Sequence, residues 1–511
     1  MFKSAVIITQ TKRIRKETSK GEAFMTINRR IESNYKTNSS IQFQVLSDDQ
    51  CEEILLSAFE VLERTGVEIH SEKALELLRD SGCRIEDKRV RIPSYLLKKA
   101  LNTAPSRVVL CDRQGNRKLF LEGNKSYFGP GLTNPNFIDL DTNERRRVTK
   151  QDIANTARVC DKLPNIDFVM SLAGLDKLAD VNEVHAMLQN TTKPIVSWGV
   201  DAEGCKDTVD MCAAVAGGLK NLQQNPFIAF YSGDPVSPLN HPQDSLEKLL
   251  FLTGKNIPVI YPAGMLLGGT APVTIAGAIV QGLADNLVAL LLSQLNREGS
   301  PFILGIGMAL MDMKTSISSY GAPEHSLGYA AGVNLGHYLN LPTFGTAGVT
   351  DSKILDQQAA IEATVSCYTS ALSGANLIHD IGFMESGMSG SLEHLIMGNE
   401  IIGMVRRIVS GVDVNKETLA VEVIDKVGPG GHFLASEHTN NHFKKETWFP
   451  SVMDRQNYSS WKSKGEKTMK QRLNEKARNI LNEHEPKSLS SDKKNKIDKI
   501  LKRAEKRVSN S

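Results

Sequence analysis

Between residues 126 and 382 the chain repeats one pattern: a short apolar, β-rich run ending in glycine or a polar residue, then a helical stretch. The runs occupy 126–131, 166–174, 194–199, 227–234, 257–264, 302–307, 342–348 and 375–382. Helical periodicity fills much of the intervening chain, as at 150–162, 204–219, 245–255, 274–297, 324–339 and 356–373. Near-continuous apolar strands separated by helices predict parallel pairing with both sheet faces covered. Eight such units predict an α/β fold, the (β/α)8 TIM barrel, whose usual length is about 250 residues. An open doubly wound sheet is the alternative. No run, however, is followed by G-x-G-x-x-G or G-x-x-x-x-G-K-[ST], so nucleotide binding has little support.

The rest of the 511 residues divides around this repeat. Residues 1–46 read as a disordered basic N-terminal extension, with Met25 an alternative start. Residues 47–125 read as a small α+β lead-in, opened by a capping box of Ser47 and Gln50. The barrel is expected over 126–400, a C-terminal helical extension packed on it over 401–485, and a basic tail over 486–511. In that tail Ile497, Ile500, Leu501 and Ala504 fall at helical spacing and predict a solvated amphipathic helix. Net charge is only +3, which gives no footprint for nucleic acid or an anionic membrane. The most apolar stretch, Ala276 to Leu295, is interrupted by Gln281, Asp285 and Asn286 and reads as a core helix rather than a membrane span. Seven cysteines with no C-x-x-C pair argue against a disulfide framework. A reducing, cytoplasmic location is the expectation.

In a barrel of this kind the chemistry sits at the C-terminal ends of the strands. Several of those ends carry an aromatic residue close to glycine. Tyr127, Phe128, Trp198, Tyr231, Tyr261 and Phe383 are the candidates for an aromatic cage around a quaternary ammonium. Each taken singly also fits packing against a helix. His379 ends the eighth run and is followed by Asp380. It can donate to a substrate carboxylate or serve as a satisfied core residue. Glu324-His325 is explained by capping at a helix start. His432, His438 and His442 lack the neighbouring ligands of a zinc site, so no metal centre is expected.

The segments Gly345-Thr-Ala-Gly-Val-Thr-Asp-Ser-Lys, Asp356-Gln-Gln-Ala and Gly374-Ala-Asn-Leu-Ile-His resemble the trimethylamine methyltransferase superfamily. So do Met397-Gly-Asn-Glu-Ile-Ile-Gly-Met, Glu417-Thr-Leu-Ala, Val427-Gly-Pro-Gly-Gly-His-Phe-Leu and His438-Thr-Asn-Asn-His. The likeness runs from about residue 47 to about residue 480. It implies a barrel that moves a methyl group from an amine to Co(I) of a corrinoid (cobalamin) carried by a separate corrinoid protein. The Co(I) is then the nucleophile, and no catalytic residue of this chain is implied. Trimethylamine enzymes of the family contain pyrrolysine, whereas this chain reads through in the twenty standard residues. It is therefore similar to the non-pyrrolysine branch, which implies glycine betaine as substrate and dimethylglycine as product. Another betaine, such as proline betaine, carnitine or γ-butyrobetaine, is one alternative, and a non-catalytic subunit that docks the corrinoid protein is another. Oligomeric state stays open, a homo-oligomer included.

Overall fold

In a computed structural model, residues 42–175 and 178–509 are described. The architecture is mixed α/β, with parallel strands alternating with helices. Parallel ladders join Ile195–Trp198 to Ile228–Tyr231, that strand to Val259–Leu267, and that one to Phe302–Asp312. A second parallel group joins Phe344–Thr346 to Leu377–His379 and on to Tyr127–Phe128. Single parallel bridges, Leu304 with Thr343 and Val169 with Ile195, extend the two groups. The Asp167 amide donates to the Phe128 carbonyl at 2.6 Å. Each of the eight runs thus takes part in parallel pairing or its hydrogen bonds, although 166–174 forms only a bridge.

The period-2 alternation of these strands sorts their side chains into two clusters. Tyr127, Val196, Ala229, Ile260, Ile303, Phe344 and Leu377 pack together with the hairpin of Val108–Cys111 and Arg117–Leu121. Their neighbours Phe128, Ile195, Ile228, Tyr261, Phe302 and Ile378 join the larger cluster that packs against the helices.

Several helices begin where the sequence supplies caps. Thr149 and Asp152 form a capping box for Lys150–Lys162, and Asp201 accepts from the Gly204 amide at 2.6 Å to start Ala202–Ala216. The Ser47–Gln50 box is present at the head of Asp48–Glu60. Helix Ile275–Asn296 is long and apolar enough to cross a membrane, but most of it is buried within the protein.

The described chain departs from the expected segments in four places. Residues 1–41 lie outside the described residues, while 42–46 are tied down: the Phe43 amide donates to Leu372 O at 3.0 Å and the Val45 amide to Asn334 Oδ1 at 2.7 Å. The lead-in is not a separate layer, because Val67–Ile69 pairs in parallel with Asn240–His241 from within the repeat region. Helix Leu392–Val409 runs straight through the boundary placed at residue 400. The C-terminal helix, Ser491–Ser509, buries Ile497 and Ala504 rather than lying solvated.

Candidate functional site

The C-terminal ends of the strands converge on a cavity of about 340 Å³, in the size range of small-molecule sites. Its walls come from Tyr231, from 262–266 and from Gly305, Gly307, Met308 and Ala309. Phe344, His379, Asp380 and Phe383 close one side, and Tyr320, His325 and Tyr329 another. The rings interlock. Tyr231 meets Phe344 edge-on at 6.2 Å between centroids, and Phe344 lies 4.1 Å from the His379 ring. Tyr320 stacks on His325 at 5.2 Å, and His325 tilts against Tyr329 at 4.8 Å. Gly131 matters here, because a Cβ at that position would collide with the Phe383 ring and the Asp380 carboxylate.

Among the described residues no Lys or Arg lines this cavity, and Asp380 is the one carboxylate. The backbone of Asp380 has a φ of 76°, a conformation that non-glycine residues adopt rarely and that concentrates at functional sites. His379 Nδ1 lies 2.8 Å from the Gly345 carbonyl, which can only accept, so Nδ1 carries a hydrogen. Its Nε2 faces Asp380 Oδ1 at 3.2 Å. Burial pushes the Asp380 carboxyl upward, against the pull of His379 and a bond from Thr346.

The other titratable walls are neutral. Burial drives the Tyr231 and Tyr329 phenols well above their ordinary range and Tyr320 up to about 12. Burial also pushes His325 down to about 4. The cavity is therefore rich in π faces and, among the described residues, free of Lys and Arg side chains. Such a lining attracts an ammonium ion through ring quadrupoles.

Of the residues expected from the sequence, Tyr231, His379 and Phe383 line the cavity. Tyr127, Phe128, Trp198 and Tyr261 do not. Tyr127 lies deeper, its hydroxyl accepting from the Phe120 amide at 3.0 Å. Phe128 is fully buried with the Arg406 guanidinium 5.5 Å above its ring. Tyr261 turns outward to His241, whose Nδ1 is 3.0 Å from its hydroxyl. Trp198 points its indole N–H at buried Glu183, 2.9 Å away. Strand parity separates these fates: Tyr231 shares the inward face with Ala229, whereas Phe128 and Tyr261 adjoin inward-facing Tyr127 and Ile260. The residues missed were Phe344, which the same parity marks, and Tyr320, His325, Tyr329 and Asp380. His325 and Tyr329, four apart after Pro323, signal one helix face. Away from the cavity, His438 and His442 stack at 4.3 Å, and His442 sits 3.2 Å from Glu417.

This chain is an enzyme of the methyltransferase class, with a small-molecule amine as its substrate. It belongs to the trimethylamine methyltransferase (MTTB) family, whose model matches residues 11–509. It is 34% identical over 452 residues to trimethylamine methyltransferase MttB of Desulfitobacterium hafniense strain DCB-2, covering 87% of this chain and 90% of that one. It is 29% identical over 461 residues to the glycine betaine methyltransferase of Desulfitobacterium hafniense strain Y51, covering 88% and 95%. Among solved structures it is similar to the monomethylamine methyltransferase of Methanosarcina barkeri, at 13% identity and a TM-score of 0.48 over 91% of this chain and 88% of that one.

Proposed function

We propose that this enzyme transfers a methyl group from a quaternary amine, glycine betaine first among them, to Co(I) of a corrinoid carried by a partner protein. The observation that carries this reading is the aromatic cavity at the strand ends, lined by no Lys or Arg among the described residues. A quaternary nitrogen already bears its positive charge, so it leaves as a neutral tertiary amine. The C–N electron pair goes to nitrogen while a carbon–cobalt bond forms and Co(I) becomes formally Co(III). No protein nucleophile or proton is needed at the reacting nitrogen. The task left to Tyr231, Phe344 and Phe383 is to hold the cation in line and exclude water. Moderate binding suits this task, because the charge on nitrogen vanishes in the transition state and a tight ion pair would favour the ground state.

The parallel segments are read as a closed (β/α)8 barrel. The supporting observation is that their pairings run in chain order and return from Leu377–His379 to Tyr127–Phe128. The corrinoid protein is then received on the face where the loops after the strands gather. Exposed Val200, Val236, Val273, Met313, Ile354 and Met388 on those loops support that placement. Seven buried, unpaired cysteines support a reducing cytoplasmic site of action.

The test is to mix the purified enzyme with glycine betaine and free cob(I)alamin and follow the visible spectrum. Methylcobalamin and dimethylglycine should form in equal amounts. Absence of transfer from glycine betaine and from every other quaternary amine would refute the reading.

A further inference from the structure

We propose that residues 411–446 form an arm through which two copies of this chain associate, apolar side chain against apolar side chain about a two-fold axis.

The chain leaves the end of helix Leu392–Val409 and returns to it at Glu446, whose carbonyl accepts from Arg407 Nε at 2.8 Å. Lys445 Nζ meets Asp413 Oδ2 at 2.9 Å and closes the neck of this excursion. Within it lie three short helices, Lys416–Leu419, Val421–Val427 and Glu437–Glu446, and none of them buries a residue. Among the described residues, none from 411 to 446 is buried. Yet the stretch is not polar. Leu434 is 86% exposed, Val412 75% and Val421 65%, and Leu419, Ile424 and Phe433 are exposed too. Single exposed apolar residues are ordinary, but so many within one excursion mark an interaction surface. Helices this short are marginal in water unless an apolar face packs on something. Among the described residues the arm's own chain does not supply that packing, so a partner does.

Position, charge and area point to a second copy. Helix Leu392–Val409 starts beside the cavity, where the Ser391 amide donates to the Gly382 carbonyl at 3.1 Å. Its 18 residues carry the chain about 27 Å away. The returning segment runs back along the same helix, Trp448 against Gly403 and then the Ser451 and Val452 amides on Glu400 Oε1 at 2.7 Å. The arm therefore lies past the far end. A protein that presents a cofactor to the cavity acts at the other end of this helix and leaves the arm uncovered. Six acidic and four basic side chains are interspersed from 411 to 446. Such a mixture draws in neither nucleic acid nor an anionic membrane, and it gives no single-sign field to repel an identical arm. The six apolar residues expose on the order of 700 Å², close to the roughly 800 Å² per partner of a standard interface. A two-fold axis brings the same surface from both copies. Gly428 and Gly430, at φ of 69° and 78°, have open space where a Cβ would stand, so the partner can approach the backbone closely.

Sedimentation equilibrium of the wild-type enzyme, Leu434→Glu, Val421→Glu and Leu56→Glu tests this. The wild type should have twice the chain mass, or an even multiple of it, at micromolar concentration. Each arm variant should have half the wild-type mass at the same concentration, its dissociation constant raised at least about tenfold. Leu56, exposed on helix Asp48–Glu60, controls for a charge placed on an open apolar site, and Leu56→Glu should leave the assembly intact. Amide hydrogen exchange tests the wild type without any substitution. Amides of Val421–Val427 and Glu437–Glu446 should exchange slowly in concentrated enzyme and at least about tenfold faster once dilution separates the copies. Those of the buried helix Ile275–Asn296 should stay slow throughout. A wild type that is monomeric, or that assembles in an odd number of copies, overturns the inference. So does an assembly that both arm variants leave intact, one that Leu56→Glu splits equally well, or exchange in the arm helices that ignores concentration.

Discussion

Glu183 shows how a single side chain couples the strand ends to pH. It is fully buried beneath Trp198, whose indole N–H it accepts, and the Leu175 amide lies 3.3 Å from its other oxygen. Burial pushes its carboxyl up to about 8, against the downward pull of bonds from Trp198, Ser171 and Leu175. The folded protein thus keeps a proton that the unfolded chain releases near the ordinary carboxyl value of 4.5. Stability from this site is full below that pH and is lost as pH rises toward 8, at up to about 1.4 kcal/mol per pH unit. Glu183→Gln keeps an acceptor for Trp198 without titrating. Its urea midpoint should therefore fall less steeply than the wild-type midpoint between pH 5 and 8. Parallel slopes would refute this. The same residue explains why Trp198 was misplaced as a cage member. An aromatic beside glycine is visible in sequence, but the buried acid fifteen residues upstream that claims its N–H is not.

Among the elements, helix Ile275–Asn296 shows what a run of apolar residues conceals. One of its polar residues, Asn286, is a structural clamp on the neighbouring strand. Asn286 donates to the Gly305 carbonyl at 2.8 Å and accepts from the Gly305 amide at 3.1 Å. Gly305 itself belongs to the cavity wall, so this one side chain fixes a piece of the site from behind. Asn286→Leu would leave a buried amide and a buried carbonyl unpaired, at a cost of roughly 2 to 4 kcal/mol. Thermal unfolding should show the loss, and a variant as stable as the wild type would contradict the clamp. Existence and order of the elements were legible because the switch from period 2 to period 3.6 needs no tertiary information. Which aromatic faces the cavity was legible in part, since parity along Ala229-Phe230-Tyr231 decides it once one inward residue is known. Tyr320 was not legible. It stands after a short antiparallel return strand, Ile317–Ser319, and is positioned by its amide bond to Asp351 at 2.8 Å, a contact 31 residues away.

For the molecule as a whole, the C-terminal stretch carries a role that its charge pattern hides. A helix with Lys493, Lys494, Lys496, Lys502, Arg503 and Arg507 looks like a solvated tail, because periodicity shows an apolar stripe but not what covers it. In the folded chain Ile497 and Ala504 insert into the main core. Arg503 reaches Asp207 Oδ1 at 2.5 Å and Arg507 reaches Asp207 Oδ2 at 2.6 Å. Asp207 is 1% exposed, so these two guanidinium groups supply the charge partners of a carboxylate on helix Ala202–Ala216. Asp498 meets His185 Nε2 at 2.7 Å on helix Ala179–Asn190. The terminal helix thus clamps two helices of the repeat region from outside, far along the chain from the strands they follow. Ending the chain at residue 490 would strip two apolar contacts and leave the Asp207 carboxylate buried without its partners. The truncated enzyme should melt lower by more than the double variant Arg503→Ala, Arg507→Ala, because it loses apolar burial as well as charge pairing. Leaving one buried charge uncompensated costs about 3 to 5 kcal/mol, less here because the arginines are themselves partly exposed. The aromatic cavity lies at the strand ends and not under this helix. The truncated enzyme, assayed well below its melting point, should therefore bind its amine substrate with its affinity nearly intact, and a large loss of affinity would show that the clamp reaches the site.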